Sequence, residues 1–434
     1  MKLKLTLLAA TAMALASAAQ AEELTIATVN NGDMIIMQKL SPEWEKATGN
    51  KINWVILEEN VLRQRVTTDI ATKGGQFDVM TIGSYEAPIW GKAGWLLPLD
   101  DLGEGYDYPD LIPSVAAGLS ADGKLMAVPF YAESSFTMYR KDLFDAAGLT
   151  MPEQPTYADI AGFAEKLTDK SKEQYGICLR GKPGWGENMA FLGTLVNTNG
   201  GQWFDMDWKP QIESEAWKTA INWYVDAMTK YGPPGAVNNG YNENLSLFQT
   251  GKCAIWIDAT SSAGRVYDPN QSQVSDKVSF TAAPQATSPE GSAWFWAWSL
   301  AIPASSTKAE AAKSFINWAT SKDYIKLVGE KDGWVAVPPG TRLSTYALPE
   351  YQKAAPFAAT VLDAIQSADP AKPTKDPVPY TGIQYVAIPE FQGIGTFVGQ
   401  QIAAALAGQT TVDAALQASQ AYATTEMTRS GYIK

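Results

Sequence analysis

The stretch from Leu24 to Gly83 reads LTIATVNNGDMIIMQKLSPEWEKATGNKINWVILEENVLRQRVTTDIATKGGQFDVMTIG. It alternates three short β-branched and apolar runs, LTIATV (24–29), KINWVIL (51–57) and FDVMTIG (77–83), with two longer segments at helical spacing, 34–47 and 61–72. Strands that alternate with helices over this spacing predict a parallel sheet wrapped by helices, which makes the chain α/β. Polar or aromatic residues follow each predicted strand: Asn31 and Asp33 after the first, Glu58 and Glu59 after the second, Tyr85 and Glu86 after the third. Open α/β sheets bind ligands beyond the carboxyl ends of their strands, so these turns are candidate contacts.

A second stretch, GSAWFWAWSL (291–300), sets Trp294, Trp296 and Trp298 at every second position. In a strand the three indoles share one face, with Phe295, Ala297 and Ser299 on the other. Such a stripe belongs either to a packed core or to the apolar floor of a cleft. Trp296 is read as either a continuation of that floor or packing, and Trp294 as structural or at the cleft rim.

Outside these stretches the pattern stays mixed. Pro155–Asp159 has the form of a capping box ahead of a helix, helices are read at 214–230, 386–407 and 411–428, and Ser305-Ser306 is read as the cap of another. The proline-rich piece 367–382 reads as a surface excursion.

The first residues, MKLKLTLLAATAMALASAAQA, join Lys2 and Lys4 to an apolar run ending in Ala19-Gln20-Ala21. This predicts an export signal (1–21) cleaved after Ala21, and hence a periplasmic protein. Without Lys2 and Lys4 the chain holds 32 basic residues against 46 acidic, a formal charge of −14. An acidic chain without basic–aromatic runs argues against nucleic acid as a partner. Its 434 residues exceed what one core usually supports, so more than one lobe is expected.

Histidine is absent, which removes imidazole bases, His-based nucleophile pairs and His-based zinc sites. No phosphate loop, CxxC, HExxH or GxSxG element appears, so no cofactor and no metal are expected. The two cysteines, Cys178 and Cys253, form either one structural disulfide or two buried thiols. Aromatic and acidic residues lie side by side in GSYEAPIW, PFYAESS, KPGWGEN and AIWIDATSS. Carbohydrates need both types, since their C–H faces meet rings and their hydroxyls meet carboxylates and amides. Trp185, between two glycines, reads as a loop tryptophan suited to a ligand. Trp334, beside Gly333, is either a cleft wall or hinge packing. A secreted carbohydrate-active hydrolase working through paired carboxylates remains an alternative on these grounds.

The order of a signal peptide, LTIATVNNGDM, FDVMTIGSYEAPIWGKAGWLLPLDDL, DGKLMAVPFYAESSFTMYRKDLFDAAGL, GKCAIWIDAT and AWSLAIP resembles the family 1 extracellular solute-binding proteins of ABC importers. Within that group it is most similar to the sorbitol/mannitol-binding proteins. The resemblance spans essentially all of the chain after the signal. It implies a two-lobed periplasmic binding protein fold, type II-like, with three hinge crossings near 128–134, 279–284 and 334–339. The N-terminal lobe would hold 22–130 and 285–333, the C-terminal lobe 131–284 and 334–434. It further implies a monomer that captures a sugar alcohol or small sugar, without catalysis, for membrane permease subunits. By the same resemblance the ligand contacts are Asn31, Glu58, Tyr85, Glu86, Tyr131, Glu133, Asp258 and Trp298, to which Trp185, Trp296 and Trp334 are added from the residues themselves. The chain lacks the Asp-Arg pair of maltose-type receptors after the third strand, which points away from an oligosaccharide and toward a small linear polyol.

Overall fold

The structure, a computed structural model, describes residues 21–103 and 105–434. The expected signal segment therefore lies outside the described residues, apart from Ala21. Among the described residues no helix is long and apolar enough to cross a membrane.

Among the described residues eleven strands occur: β1 (Glu23–Val29), β2 (Lys51–Leu57), β3 (Val79–Gly83), β4 (Ser120–Ala121), β5 (Lys124–Leu125), β6 (Val128–Glu133), β7 (Ser135–Arg140), β8 (Tyr175–Cys178), β9 (Cys253–Ala259), β10 (Val278–Ala282) and β11 (Trp296–Ala301). They form a five-stranded sheet in the order β2-β1-β3-β11-β6, a four-stranded sheet in the order β10-β7-β9-β8, and a β4-β5 hairpin. Each large sheet centres one lobe. The three strands read from 24–83 are parallel, whereas β11 inserts antiparallel between β3 and β6. That inversion has a consequence for the site: the tryptophan-bearing start of β11 lies at the carboxyl ends of the parallel strands, with Trp298 opposite Gly83 and Trp296 opposite Glu133.

The helix expected over 34–47 is two, Gly32–Leu40 and Pro42–Thr48. Pro42 has no N–H to continue the first ladder and suits the first position of the second helix. Thr156 and Asp159 form the expected capping box ahead of Tyr157–Leu167. Helices Glu215–Tyr231, Phe391–Leu406 and Val412–Arg429 occupy the other expected regions, and pack together on the second lobe. The helix after Ser305-Ser306 begins only at Ala309, because Ser306 Oγ accepts from Lys308 N and turns the chain first.

The seam departs from the expected boundaries. β6 does not leave the first sheet at residue 130 but runs in it to Glu133, since Ala132 and Glu133 pair with Ala297 and Trp296. Residues 285–293, expected in the N-terminal lobe, bond to the other one: Gln285 N donates to Pro155 O (3.0 Å) and Thr287 N to Thr198 O (2.9 Å). The chain past Trp334, expected in the C-terminal lobe, first remains against the N-terminal one, where Ile112 N donates to Thr341 O (2.9 Å) and the buried Arg342 Nη2 to Tyr106 O (3.0 Å). Local hydrogen bonding, invisible in a composition profile, sets these limits.

Only Ser134 separates β6 from β7, although they belong to different sheets. Its backbone N donates to Thr260 Oγ1 (3.0 Å), its carbonyl accepts from Thr260 N (2.9 Å), and its hydroxyl donates to Trp294 O (2.7 Å). Buried backbone groups at a strand junction must find partners, and one residue here joins three segments of the seam. In the second lobe the sulfurs of Cys178 and Cys253 are bonded, joining the ends of β8 and β9 with Cα atoms 5.9 Å apart.

Candidate functional site

Between the lobes lies a cleft of about 440 Å³, partly open to solvent. Its first-lobe wall is built from the ends of parallel strands and from β11: Asn31 after β1, Glu59 and Arg63 on the helix Glu59–Thr72, Tyr131 and Glu133 on β6, Trp296 and Trp298 on β11. The facing wall brings Arg180, Trp185, Gly186 and Tyr241, and Trp294 and Gln384 close the floor.

Two arginines organise these walls. Arg63 donates from Nη1 to Glu86 Oε1 (2.8 Å) and from Nη2 and Nε to Glu59 Oε1 (2.8 and 3.1 Å). Its guanidinium carbon lies 4.1 Å from the Trp185 ring centre, 4.8 Å from Trp296 and 4.9 Å from Trp298. Burial works against its charge, but Glu59 and Glu86 outweigh that and hold the guanidinium more firmly protonated than usual. A cation over indole faces gains from their quadrupoles. Arg180 is held bidentately by Asp258, Nε to Oδ2 at 2.9 Å and Nη2 to Oδ1 at 2.6 Å, and donates from Nη1 to Gly186 O (3.0 Å). Bidentate pairing fixes the plane of the fork as well as its charge.

Two glycines make this packing possible. A Cβ at Gly83 would stand 1.9 Å from the Trp296 indole. One at Gly186 would stand 2.4 Å from Glu59 Oε1 and 2.8 Å from Arg63 Nε, groups already locked by their ion pair. At Gly186 the bare backbone of the second lobe thus receives side chains of the first, while Gly83 makes room for Trp296 within the first-lobe sheet.

Six of the expected residues line the cleft: Asn31, Tyr131, Glu133, Trp185, Trp296 and Trp298. Asn31 Nδ2 donates to the Tyr131 hydroxyl (2.9 Å), and the Ser261 hydroxyl donates to Glu133 (2.5 Å). The other five stand elsewhere. Glu58 folds over the start of its helix, accepting from Asn60 N and Val61 N (3.1 and 3.3 Å), and bridges the lobes to Lys182 Nζ (2.6 Å). Glu59, one residue on, faces the cleft instead. Glu86 and Asp258 sit behind the two arginines. Tyr85 backs Trp185, ring centres 4.7 Å apart, and donates to Ile388 O (2.9 Å). Trp334 lies against Gly329 and does not line the cleft. Trp294, read as structural or at the rim, is buried yet lines the cleft, 5.6 Å from the Arg180 guanidinium.

Arg63 and Arg180 are not among the residues expected from sequence. A signal for the first was available in the Glu59–Arg63 i,i+4 spacing beyond a strand end, and for the second in a charged residue directly after the apolar run YGICL.

The lining leaves polar valences open. The indole N–H groups of Trp185 and Trp296 are buried without a hydrogen-bond partner, as is one oxygen of Glu187 behind Arg180. Buried donors are normally satisfied, so the two indole N–H groups are open to an acceptor. Burial pushes the Glu133 carboxyl up to about 8, and the Tyr131 hydroxyl rises well above its ordinary value for the same reason, aided by Glu133. Among the described residues no cluster of His, Cys, Asp and Glu suited to a metal ion occurs.

Residues 30–326 match the family described as bacterial extracellular solute-binding protein. A mannitol-binding protein of Pseudomonas aeruginosa is 55% identical over 98% of both chains. A solved ABC transporter solute-binding protein of Agrobacterium vitis S4 with bound D-mannitol is 64% identical, with a TM-score of 0.94 over 95% of this chain and all of that one. Another, from Agrobacterium radiobacter K84 in complex with ribitol, is 27% identical with a TM-score of 0.82, covering 93% of this chain and 98% of the other. The two-lobed fold and the match over most of its length carry the same conclusion: this chain belongs to the bacterial extracellular solute-binding proteins.

Proposed function

We propose that the protein captures an acyclic sugar alcohol, D-mannitol or its epimer sorbitol, between its lobes and delivers it to the membrane permease subunits of an ABC importer, without chemical change to the ligand. The observation that carries this reading is the pairing of unpartnered indole N–H groups with ion-paired guanidinium forks around a cleft floored by tryptophan. A hexitol offers hydroxyl oxygens to both kinds of donor and C–H faces to the rings. The relatives with bound or named mannitol and ribitol support the same class of ligand.

In this reading Arg63, Arg180, Glu133, Trp185, Trp296 and Trp298 contact the ligand, while Glu86 and Asp258 aim the arginines. The chain passes between lobes at Ser134, between β10 and β11, and in the segment after Trp334. Ligand contacts from both walls then favour the closed arrangement over an open one. Periplasmic residence and a monomeric state accompany the proposal. Calorimetric titration against mannitol, sorbitol, ribitol, glucose and maltose tests it: saturable one-to-one binding of a hexitol is expected, and heat from maltose alone would overturn the ligand class. Incubation with glycosides should release no new reducing ends.

A further inference from the structure

The seam holds more acid than base. Arg63 is shared by Glu59 and Glu86, Arg180 is occupied by Asp258, and Lys182 pairs with Glu58. Three carboxyls remain. Glu133 has the Ser261 hydroxyl at 2.5 Å, with Arg180 near but already engaged, and faces Asp258 and Glu59 as like charges. Glu187 stands 3.7 Å from both Arg180 and Lys182, one of its oxygens unpartnered, with Glu59 and Glu58 repelling it. Asp33 is buried on a second seam cavity, of about 400 Å³, between Ser261, Arg265 and the segment 335–337. Its one facing cation, Arg265, lies across Gly32 and donates to Gln271 (3.3 Å).

Both lobes contribute to burying Glu133 and Asp33, and Glu187 of the second lobe faces Glu58 and Glu59 of the first. Glu133 comes from the first sheet and Ser261 from the turn after β9; Asp33 comes from the first lobe and Arg265 from the second. Separating the lobes returns water to the carboxyls, and water favours their charged form. Bringing the lobes together removes that water, and the cations it brings up, Arg180 toward Glu133 and Arg265 toward Asp33, are already engaged by Asp258 and Gln271 and do not offset the loss. The geometry points to a coupling: closing on the ligand takes up protons, so capture of a neutral polyol is favoured on the acid side and weakens as the medium turns alkaline. This rests on the proposed sugar-alcohol function.

The direction follows from linkage. Burial pushes Glu133 up to about 8, Asp33 up to about 6, and Glu187 well above its usual range, where Glu59 adds to the effect. The neighbouring hydroxyls of Tyr131 and Tyr241 are raised as well, the second to about 12, so neither competes for these protons near neutrality. A carboxyl raised in the closed state binds its proton there and loses it in the open one. Closed-state stability is therefore full at low pH and is lost as pH rises through the closed-state value. Protonated Glu133 also gains an O–H to offer a ligand oxygen.

Titration of the full mature chain with D-mannitol in phosphate and in Tris, from about pH 6 to about pH 9, reads this out. Buffer-dependent enthalpies should report net uptake of about one to two protons per ligand near pH 7, with affinity falling about 10- to 100-fold between pH 7 and pH 9. Glu133→Gln should flatten that fall by up to about tenfold, and Glu187→Gln provides a second variant if the first unfolds. Binding with buffer-independent enthalpy and constant affinity, or an unchanged pH slope in both variants, overturns the coupling and leaves the sugar-alcohol function standing. Failure of every alditol to bind at any pH removes the function and the coupling together.

Discussion

The two walls of the cleft solve one problem differently. Each presents a buried guanidinium to the seam, but Arg63 in the first lobe lies on a single helix between two carboxylates, while Arg180 in the second is gripped by one bidentate aspartate. The second wall is also covalently tied. Cys178 and Asp258 belong to adjacent strands, and the Cys178–Cys253 bond joins those strands two residues before Arg180. Asp258 keeps two further donors, Trp256 Nε1 (3.1 Å) and Ala259 N (2.7 Å), whereas Glu59 depends on Arg63 alone among the side chains paired with it. One wall is held mainly by charge and the other by scaffold.

Removing the charge should therefore hurt the two walls unequally. Arg63→Met leaves two buried carboxylates facing each other and should cost about 3–5 kcal/mol in urea unfolding, along with measurable ligand binding. Arg180→Met should cost less stability, because Asp258 retains its other donors, yet abolish binding equally; equal stability losses would break the comparison. Reducing the scaffold with Cys178→Ser and Cys253→Ser should lower stability by about 2–4 kcal/mol through the 75-residue loop the bond closes, while mannitol affinity shifts little. On the indole floor, Trp298→Ala should weaken binding about 10- to 100-fold without unfolding the protein. The smallest effect is expected from Trp296→Phe, which keeps an aromatic ring, though a smaller one, and deletes the N–H: about 0.5–1.5 kcal/mol in affinity by calorimetry.

The first wall was the more legible in sequence. Alternation over 24–83 announces parallel strands because each run is β-branched and bounded by polar turns, and Asn31 could be placed from the strand end that precedes it. The tryptophan stripe could not be assigned to core or cleft, because period two states only that indoles share a face. What decides it is the antiparallel insertion of β11, which carries Trp296 and Trp298 to the carboxyl edge. Glu58 and Glu59 illustrate the remaining limit: one residue of helix geometry decides which carboxylate caps and which faces inward. Glu86 and Asp258 stand at strand ends, as expected, but pairing with an arginine distant in sequence puts them behind the lining. For Trp334, which sequence leaves open between cleft wall and packing, the ring lies on Gly329 and stays out of the cleft.

The seam between Trp185 and Trp296 is the proposed place where a polyol is held. A crystal structure of the protein with D-mannitol tests it most directly. Hydroxyl oxygens within about 3.2 Å of the Arg63 and Arg180 forks and of the two indole N–H groups are expected. A ligand seated away from both arginines, with those indole donors still unpaired, would contradict it.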